Sequence, residues 1–369
     1  MFYKFVYPAF YGKKESYMFN ACYKFNTEGT PVSCERHGNG HINETYLVVT
    51  DKGVWYILQR INERVFKDIP GLMHNISSVC AYLYEMRPDP RRVLTIVPPL
   101  EGGSYMHDED GYWRMYIFVT DSLCLERVEN KRDFYSSAIA FGNFQNLLSG
   151  FDANSLYETI VDFHNTPVRL QNLKNAIKAD KLGRAKTCQR EIDFALSQEK
   201  NCSFLMDLLK KGDLRLRVTH NDTKLNNVML DAKTREPLCV IDLDTVMPGI
   251  AANDFGDSIR FGASTAAEDE EDLSKVSMSL ELFEAYAKGF LSECRSALND
   301  TEVATLPMGA HLMTLECGLR FLTDYLEGDS YFRIHRPDHN LIRTRTQFKL
   351  VEDMESKMGE MNSIIEGIA

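Results

Sequence analysis

Two short segments carry the residues with the most chemistry to offer. Residues 218–230 read Val-Thr-His-Asn-Asp-Thr-Lys-Leu-Asn-Asn-Val-Met-Leu, and residues 239–248 read Cys-Val-Ile-Asp-Leu-Asp-Thr-Val-Met-Pro. The carboxylate of Asp222 precedes the carboxamide of Asn227 by five residues, and Asp242 stands at the exit of an apolar run. One carboxylate and one amide oxygen suit a hard cation such as Mg²⁺, which takes oxygen donors and keeps several waters. Phosphoryl transfer from ATP asks the protein for such ligands, for a base that orients the attacking hydroxyl, and for positive charge at the moving phosphoryl. Asn227 and Asp242 can supply the ligands, Asp222 the base, and Lys224 a cation for the γ-phosphate. His220 suits a structural role better, fixing the loop by hydrogen bonding.

Apolar residues bracket both polar centres. VMLD and LCVIDLD read as two strands turning through 232–237, which brings both centres to one end. Upstream, residues 45–50 and 54–60 are rich in β-branched and aromatic side chains and flank Asp51-Lys52-Gly53, predicting a hairpin. Apolar residues at helical spacing predict a helix over 70–86, ended by Arg87-Pro88-Asp89-Pro90, and strands are expected at 93–97 and 112–119. Near residue 120 the pattern changes to long helices. They are expected at 133–151 with Asp133 as N-cap, at 174–198 as one helix or as two joined near Gly183, and at 274–294, 302–327 and 346–368.

The expected class is therefore α+β. A lobe over 1–120, an antiparallel sheet with one main helix, precedes a mostly helical lobe over 121–369. At 369 residues with 44% hydrophobic content, two packed lobes have ample core. A net charge of −11, with the dense run Glu268-Asp269-Glu270-Glu271-Asp272 acidic, argues against a nucleic-acid surface. Nine cysteines occur singly, with no Cys-x-x-Cys, which fits reduced thiols better than a disulfide framework or a zinc site. The aromatic N-terminal stretch is broken by Lys4, Pro8 and Lys13-Lys14, unlike a secretory signal, and no run is apolar enough to span a bilayer. These features lead us to expect a cytoplasmic protein that handles small molecules, without a membrane or an obligate protein partner.

His-x-Asp-x-x-x-x-Asn, followed by an apolar strand and a second Asp, resembles the catalytic loop and metal-binding Asp of the protein-kinase-like fold. Ile241-Asp242-Leu243-Asp244 is similar to the aminoglycoside and choline phosphotransferase branch of that fold. Asp254-Phe255-Gly256-Asp257 lies too far along to be the metal-binding triplet, and resembles a later Asp that supports the loop. Further stretches, 38–43, 56–59, 141–145, 163–167, 254–264, 316–324 and 343–347, resemble sugar-phosphorylating members of the family from about residue 36 onward. The resemblance implies a bilobal protein-kinase-like fold. It also implies an ATP- and Mg²⁺-dependent kinase acting on the anomeric hydroxyl of N-acetylglucosamine or N-acetylgalactosamine. It further implies Asp222 as base, Asn227 and Asp242 as metal ligands, and His41, Asp244, Phe261, Arg320 and Tyr331 as sugar contacts. From spacing alone Asp244, two residues beyond Asp242, reads equally as a residue on the same strand face or as an ordinary capping Asp.

Gly38-x-Gly40 before the hairpin reads either as a turn or as a loop over phosphates, and with Gln59 it forms the nucleotide-side set. The customary strand-borne Lys of the fold is absent; Gln59 and Arg60 stand there instead. The helix over 70–86 offers no Glu that such a Lys would pair with, since Glu85 is near its end, and Lys224 or Arg60 remain to face the phosphates. Other acceptors of the same family, such as homoserine, choline, an aminoglycoside or another sugar, stay open. A kinase fold kept only as a binding module is disfavoured by the presence of Asp222, Asn227 and Asp242. A hydrolase built on Asp242 and Asp244 would need further metal ligands nearby.

Overall fold

In a computed structural model, which describes residues 20–38 and 42–369, the chain divides between Thr120 and Asp121 into two units. The first is built on an antiparallel sheet. Its strands are β1 (Pro31–Arg36), β2 (Glu44–Thr50), β3 (Trp55–Arg60), β4 (Ile96–Val97), β5 (Met106–Asp108) and β6 (Gly111–Ile117). The order is β1-β2-β3-β6-β4, with β5 paired to β6. β2 and β3 form the expected hairpin, and Gly53 takes φ 75° in its turn, where a side chain would be strained. Of the expected strand over 93–97, only Ile96–Val97 pairs, and β1 adds an edge strand that sequence reading missed.

Helix α1 (Ile69–Met86) is started by Asp68, whose carboxylate accepts the Gly71 amide at 2.9 Å, with Pro70 in the first turn where no donor is missed. The sheet face bearing Tyr46, Val48, Leu58, Trp113 and Met115 packs with Ala21, Cys22 and Phe25. On the other face lies Arg114, buried, its guanidinium 3.9 Å from the Met73 sulfur of α1.

The second unit is mostly helical: α2 (Lys131–Leu147), α3 (Thr166–Ala179), α4 (Gln189–Ser197), α5 (Glu199–Cys202), α6 (Phe204–Lys211), α7 (Ala251–Gly262), α8 (Leu280–Cys294), α9 (Asp300–Ala304), α10 (Leu306–Glu327) and α11 (His339–Ile368). Short strands β7 (Ser122–Leu123), β8 (Arg217–Thr219), β9 (Val228–Asp231), β10 (Pro237–Val240) and β11 (Met247–Gly249) form two small sheets, β10-β9-β7 and β11-β8. α7 was not anticipated from sequence. The span 174–198 is broken at Asp180, left-handed at φ 34°, so it belongs to two helices. Asp133 is not the cap of α2. Asn130 caps it, accepting the Asp133 amide at 3.0 Å, and Asp133 is buried against Arg235 at 2.7 Å. Arg235 sits in the β9–β10 turn, so this ion pair ties the hairpin to the start of α2.

α10 runs through the core, with Leu312, Leu315, Leu319 and Leu322 packed in one apolar cluster and Leu306 and Ala310 in another. None of the nine cysteines forms a disulfide, and six of them are buried. No helix of the described residues is long and apolar enough to cross a membrane.

α7 and α10 approach so closely that a Cβ on Gly256 would collide with the Gly309 carbonyl, and one on Gly309 with the Ala252 carbonyl. Gly256→Ala is therefore expected to cost about 1–3 kcal/mol of stability. Calorimetry should show a lowered Tm, and an unchanged Tm would mean the helices separate freely.

Candidate active site

The site is assembled from the loop after β8, the hairpin β9–β10 and the segment leading into β11. β8 pairs with β11, with Thr219 opposite Met247. β9 pairs with β10, with Val228 opposite Val240, and the Ile241 amide donates to the Asn227 carbonyl at 2.9 Å. That pairing sets Asn227 beside the residue preceding Asp242. Asp242 itself is left-handed at φ 59°, ψ 58°, and opens a 3-10 turn over Leu243–Thr245. β10 has already ended at Val240, so the two-residue alternation that would align Asp242 with Asp244 does not operate. Asp244 is buried in the turn instead.

Asp222 lies at the centre of the contacts. Its Oδ1 is 2.8 Å from Lys224 Nζ, and its Oδ2 accepts from Asn227 Nδ2 at 3.1 Å. The same amide nitrogen donates to the Asp222 carbonyl at 2.7 Å. The Asn227 amide nitrogen thus spends both of its hydrogens on Asp222. The Asp222 and Lys224 side chains keep 28% and 36% exposure, enough for a substrate to reach them. Burial works to raise the Asp222 carboxyl, but the Lys224 ammonium and the Asn227 amide outweigh it and hold it below the usual range. Burial likewise opposes the charge of Lys224, yet Asp222 and Asp257 carry its pKa up to about 12.

The loop is held by buried groups. Asp254 Oδ2 accepts the His220 amide at 2.9 Å and Gln145 Nε2 at 2.7 Å, and its Oδ1 accepts the Asn221 amide at 2.8 Å. Burial pushes its carboxyl up against the pull of these donors. Asp254 thus occupies the loop-supporting place its sequence context suggested. His220 Nε2 meets the Ile241 carbonyl at 2.9 Å, and the Asp222 amide donates to its Nδ1 at 3.3 Å, so the ring joins the two segments without facing a substrate. Asn221 is left-handed at φ 63°, and its side-chain amide donates to the Thr245 carbonyl at 2.8 Å. Asp257 accepts the Thr223 amide at 3.0 Å and pairs with Arg260, which also meets Glu268 at 2.9 Å.

Of the residues expected at the sugar, Arg320 on α10 and Tyr331 come together. The Arg320 guanidinium lies 5.8 Å from the Tyr331 ring centre and 5.4 Å from those of Phe163 and Phe332, and its Nη2 reaches the Tyr331 hydroxyl at 3.4 Å. Phe261 is half-buried on α7, next to Arg260. Gly40 and His41 lie outside the described residues. Gly38, at φ 71°, is exposed. Gln59 uses both ends of its amide within the first unit, donating to Thr45 at 3.1 Å and accepting from Arg114 at 3.0 Å. Arg114 escaped sequence reading, although its place on a strand opposite Gln59 was the available signal. Asn221, His164 and Glu316 were likewise missed as parts of the site, although the last two fall in stretches carrying the family resemblance.

The Ile241 bond brings Asn227 beside the residue before Asp242, and a carboxamide oxygen and a carboxylate are donors of the type a hard cation takes. Among the described residues no group of three or more His, Cys, Asp or Glu is placed to hold a metal.

Residues 33–287, well over half the chain, match the phosphotransferase enzyme family (APH), and the chain belongs to that family. Its fold is that of solved kinases. A microcompartment-associated aminopropanol kinase superposes with TM-score 0.61 at 17% identity, covering 94% of this chain and 98% of that one. An amicoumacin kinase, solved with AMP-PNP, Ca²⁺ and Ami, gives 0.58 at 17%, covering 94% of each. The choline kinase of Cryptosporidium parvum gives 0.56 at 12%, covering 96% and 98%.

Replacing Asp254 by Asn leaves one acceptor oxygen for three donors. D254N is expected to lose about 1–3 kcal/mol, the cost of an unmet buried donor, measured by urea denaturation. Wild-type stability would show that the loop holds itself.

Proposed function

We propose that this phosphotransferase is an N-acetylhexosamine 1-kinase, moving the γ-phosphoryl group of ATP to the anomeric hydroxyl of N-acetylglucosamine or N-acetylgalactosamine. The observation that carries the transfer chemistry is the contact of Asp222 with Lys224 and Asn227, beside Asp242. In this reading Asp222 accepts the hydroxyl proton, and Asn227 and Asp242 hold Mg²⁺ on the phosphates. The ion supplies charge neutralisation at the transferring group. Lys224 has two partners in succession. While it pairs with Asp222 it keeps the carboxylate ionised, and when it turns to the γ-phosphate it leaves an oxygen of that carboxylate open to the sugar. Gly38, Gly40 and Gln59 belong to the nucleotide side of the reading, and His41, Asp244, Phe261, Arg320 and Tyr331 to the sugar.

The acceptor assignment rests on the resemblance of several sequence stretches to sugar-phosphorylating members of the family and on the charge around Arg320. Phe163, Tyr331 and Phe332 already surround the protein's own guanidinium. That cluster suits an acetamido or hydroxyl oxygen and disfavours a quaternary ammonium, which needs the same faces. A neutral sugar is therefore favoured over choline as acceptor.

An ATP-consumption assay over N-acetylhexosamines, other sugars and amino alcohols, with phosphorus NMR of the product, tests the reading. A phosphate on the anomeric carbon is expected, and transfer to any other hydroxyl overturns the assignment. D222N should lose roughly 10²–10⁴-fold in kcat while calorimetry shows MgATP still bound. Because Lys224 holds the Asp222 carboxyl low, ionised Asp222 persists as pH falls until its depressed pKa is crossed. K224M should move the acid limb of kcat/KM to higher pH, and an unmoved limb would separate that limb from Asp222.

A further inference from the structure

His164 and Glu316 have no part in the chemistry above, yet both touch its framework. His164 lies between α2 and α3, and Glu316 lies one turn before Arg320 on α10. His164 Nδ1 is 2.9 Å from Glu316 Oε1, and its Nε2 is 3.1 Å from the Asn221 carbonyl oxygen. Both partners are acceptors without a proton of their own when Glu316 is ionised. A neutral imidazole can donate through only one nitrogen, so two such contacts require the ring to be protonated on both. The pair is secluded, with side-chain exposures of 10% and 2%, and the Thr166 hydroxyl donates to the other Glu316 oxygen at 2.9 Å.

The peptide bond between Asn221 and Asp222 is thereby gripped at both ends. Its oxygen accepts a hydrogen bond from His164 Nε2–H, and its N–H donates to His220. Asn221 occupies a left-handed conformation, accessible to Asn at some cost, so its carbonyl needs such a hold to keep the following side chain in place.

We propose that His164 and Glu316 form a positioning pair whose imidazolium–carboxylate contact clamps the Asn221 carbonyl and so sets the orientation of Asp222. This deepens the phosphotransfer reading and rests on it only for its effect on rate. The charged groups that bear on the pair are Glu316 and Arg320 from α10, Asp257 from α7, and Arg169 from α3, on which Asp162 acts in turn. Burial opposes the ring's charge, but Glu316 beside it carries the ring above its ordinary range, with Asp257 adding to the effect. A raised imidazole is protonated at low pH and loses its proton as pH rises through the shifted value, so the clamp is lost on the alkaline side. One ring nitrogen then turns a lone pair towards an oxygen.

The test has a structural arm and a kinetic arm. With ¹⁵N-labelled full-length protein and no substrate, NMR should show both His164 nitrogens protonated at about pH 6.5. The backbone amide signals of Asn221 and Asp222 should follow the His164 titration. A His164 with one unprotonated nitrogen at that pH, or amide signals indifferent to its titration, would overturn the clamp whatever reaction the protein catalyses.

In the kinetic arm, H164A should lower kcat roughly 10- to 100-fold, the scale of a small misplacement of a reacting group, with KM for ATP hardly changed. In E316Q the amide can donate to Nδ1, letting a neutral ring keep its Nε2–H on Asn221. Its kcat should therefore exceed that of H164A, and its alkaline limb should disappear. Equal loss in both variants with the wild-type limb retained would reduce the pair to a packing element. If no acceptor is phosphorylated at all, the functional reading fails and the NMR arm still decides the clamp.

Discussion

A buried carboxylate, Asp254, receives the backbone amides of His220 and Asn221 together with the Gln145 side chain, and the candidate site takes its shape from those bonds. Hydrogen bonds to a charged group are worth about 1.5–3 kcal/mol each. Several of them offset the cost of removing a carboxylate from water, which no single bond would do. The amides are in turn fixed in a left-handed turn at Asn221, from which Asp222 projects. A helix residue thus dictates the geometry of a loop more than thirty positions earlier, and α7 is placed by its tight crossing with α10 at Gly256 and Gly309.

From this anchor the other parts follow by contact. The hairpin β9–β10 brings Asn227 and the approach to Asp242 together through the Ile241 amide, and Arg235 pins its turn to Asp133 at the start of α2. The Asn227 carboxamide steadies Asp222 through its nitrogen, which donates to both the carbonyl and the carboxylate of that residue. Lys224 completes the arrangement as the counter-charge of Asp222. α10 contributes a core surface, the guanidinium of Arg320 and the Glu316 carboxylate, so the Arg320 aromatic cluster and the contact of Glu316 with His164 share one helix.

Much of this could be read in the sequence. Asp222, Asn227 and Asp242 announced themselves by residue type and spacing, and the hairpins at 45–60 and 228–240 by apolar runs around turn residues. α7 was hidden because Asn253, Asp254, Asp257, Ser258 and Arg260 interrupt its apolar positions, Phe255 and Ile259. Asp254, Asp257 and Ser258 are buried on hydrogen bonds to the loop, and Arg260 on its pair with Asp257, which a one-face hydrophobic pattern cannot express. Asp133 was taken for a cap because it is the usual residue type, whereas Asn130 caps three residues earlier and leaves Asp133 to its ion pair. Strand alternation could not fix the relation of Asp242 to Asp244, since a left-handed residue breaks the period at once. Contacts spanning the chain, such as His164 with Glu316, leave no local trace.

The central claim is that Asp222 faces the anomeric hydroxyl of an N-acetylated hexosamine while Asn227 and Asp242 hold the nucleotide's metal. A crystal structure with Mg²⁺, AMP-PNP and N-acetylglucosamine measures this most directly. The account predicts the anomeric oxygen within about 2.6–3.2 Å of the Asp222 carboxylate, with Mg²⁺ bound by Asn227 and Asp242 oxygens. A different sugar hydroxyl at Asp222, or a metal held without Asp242, would contradict it.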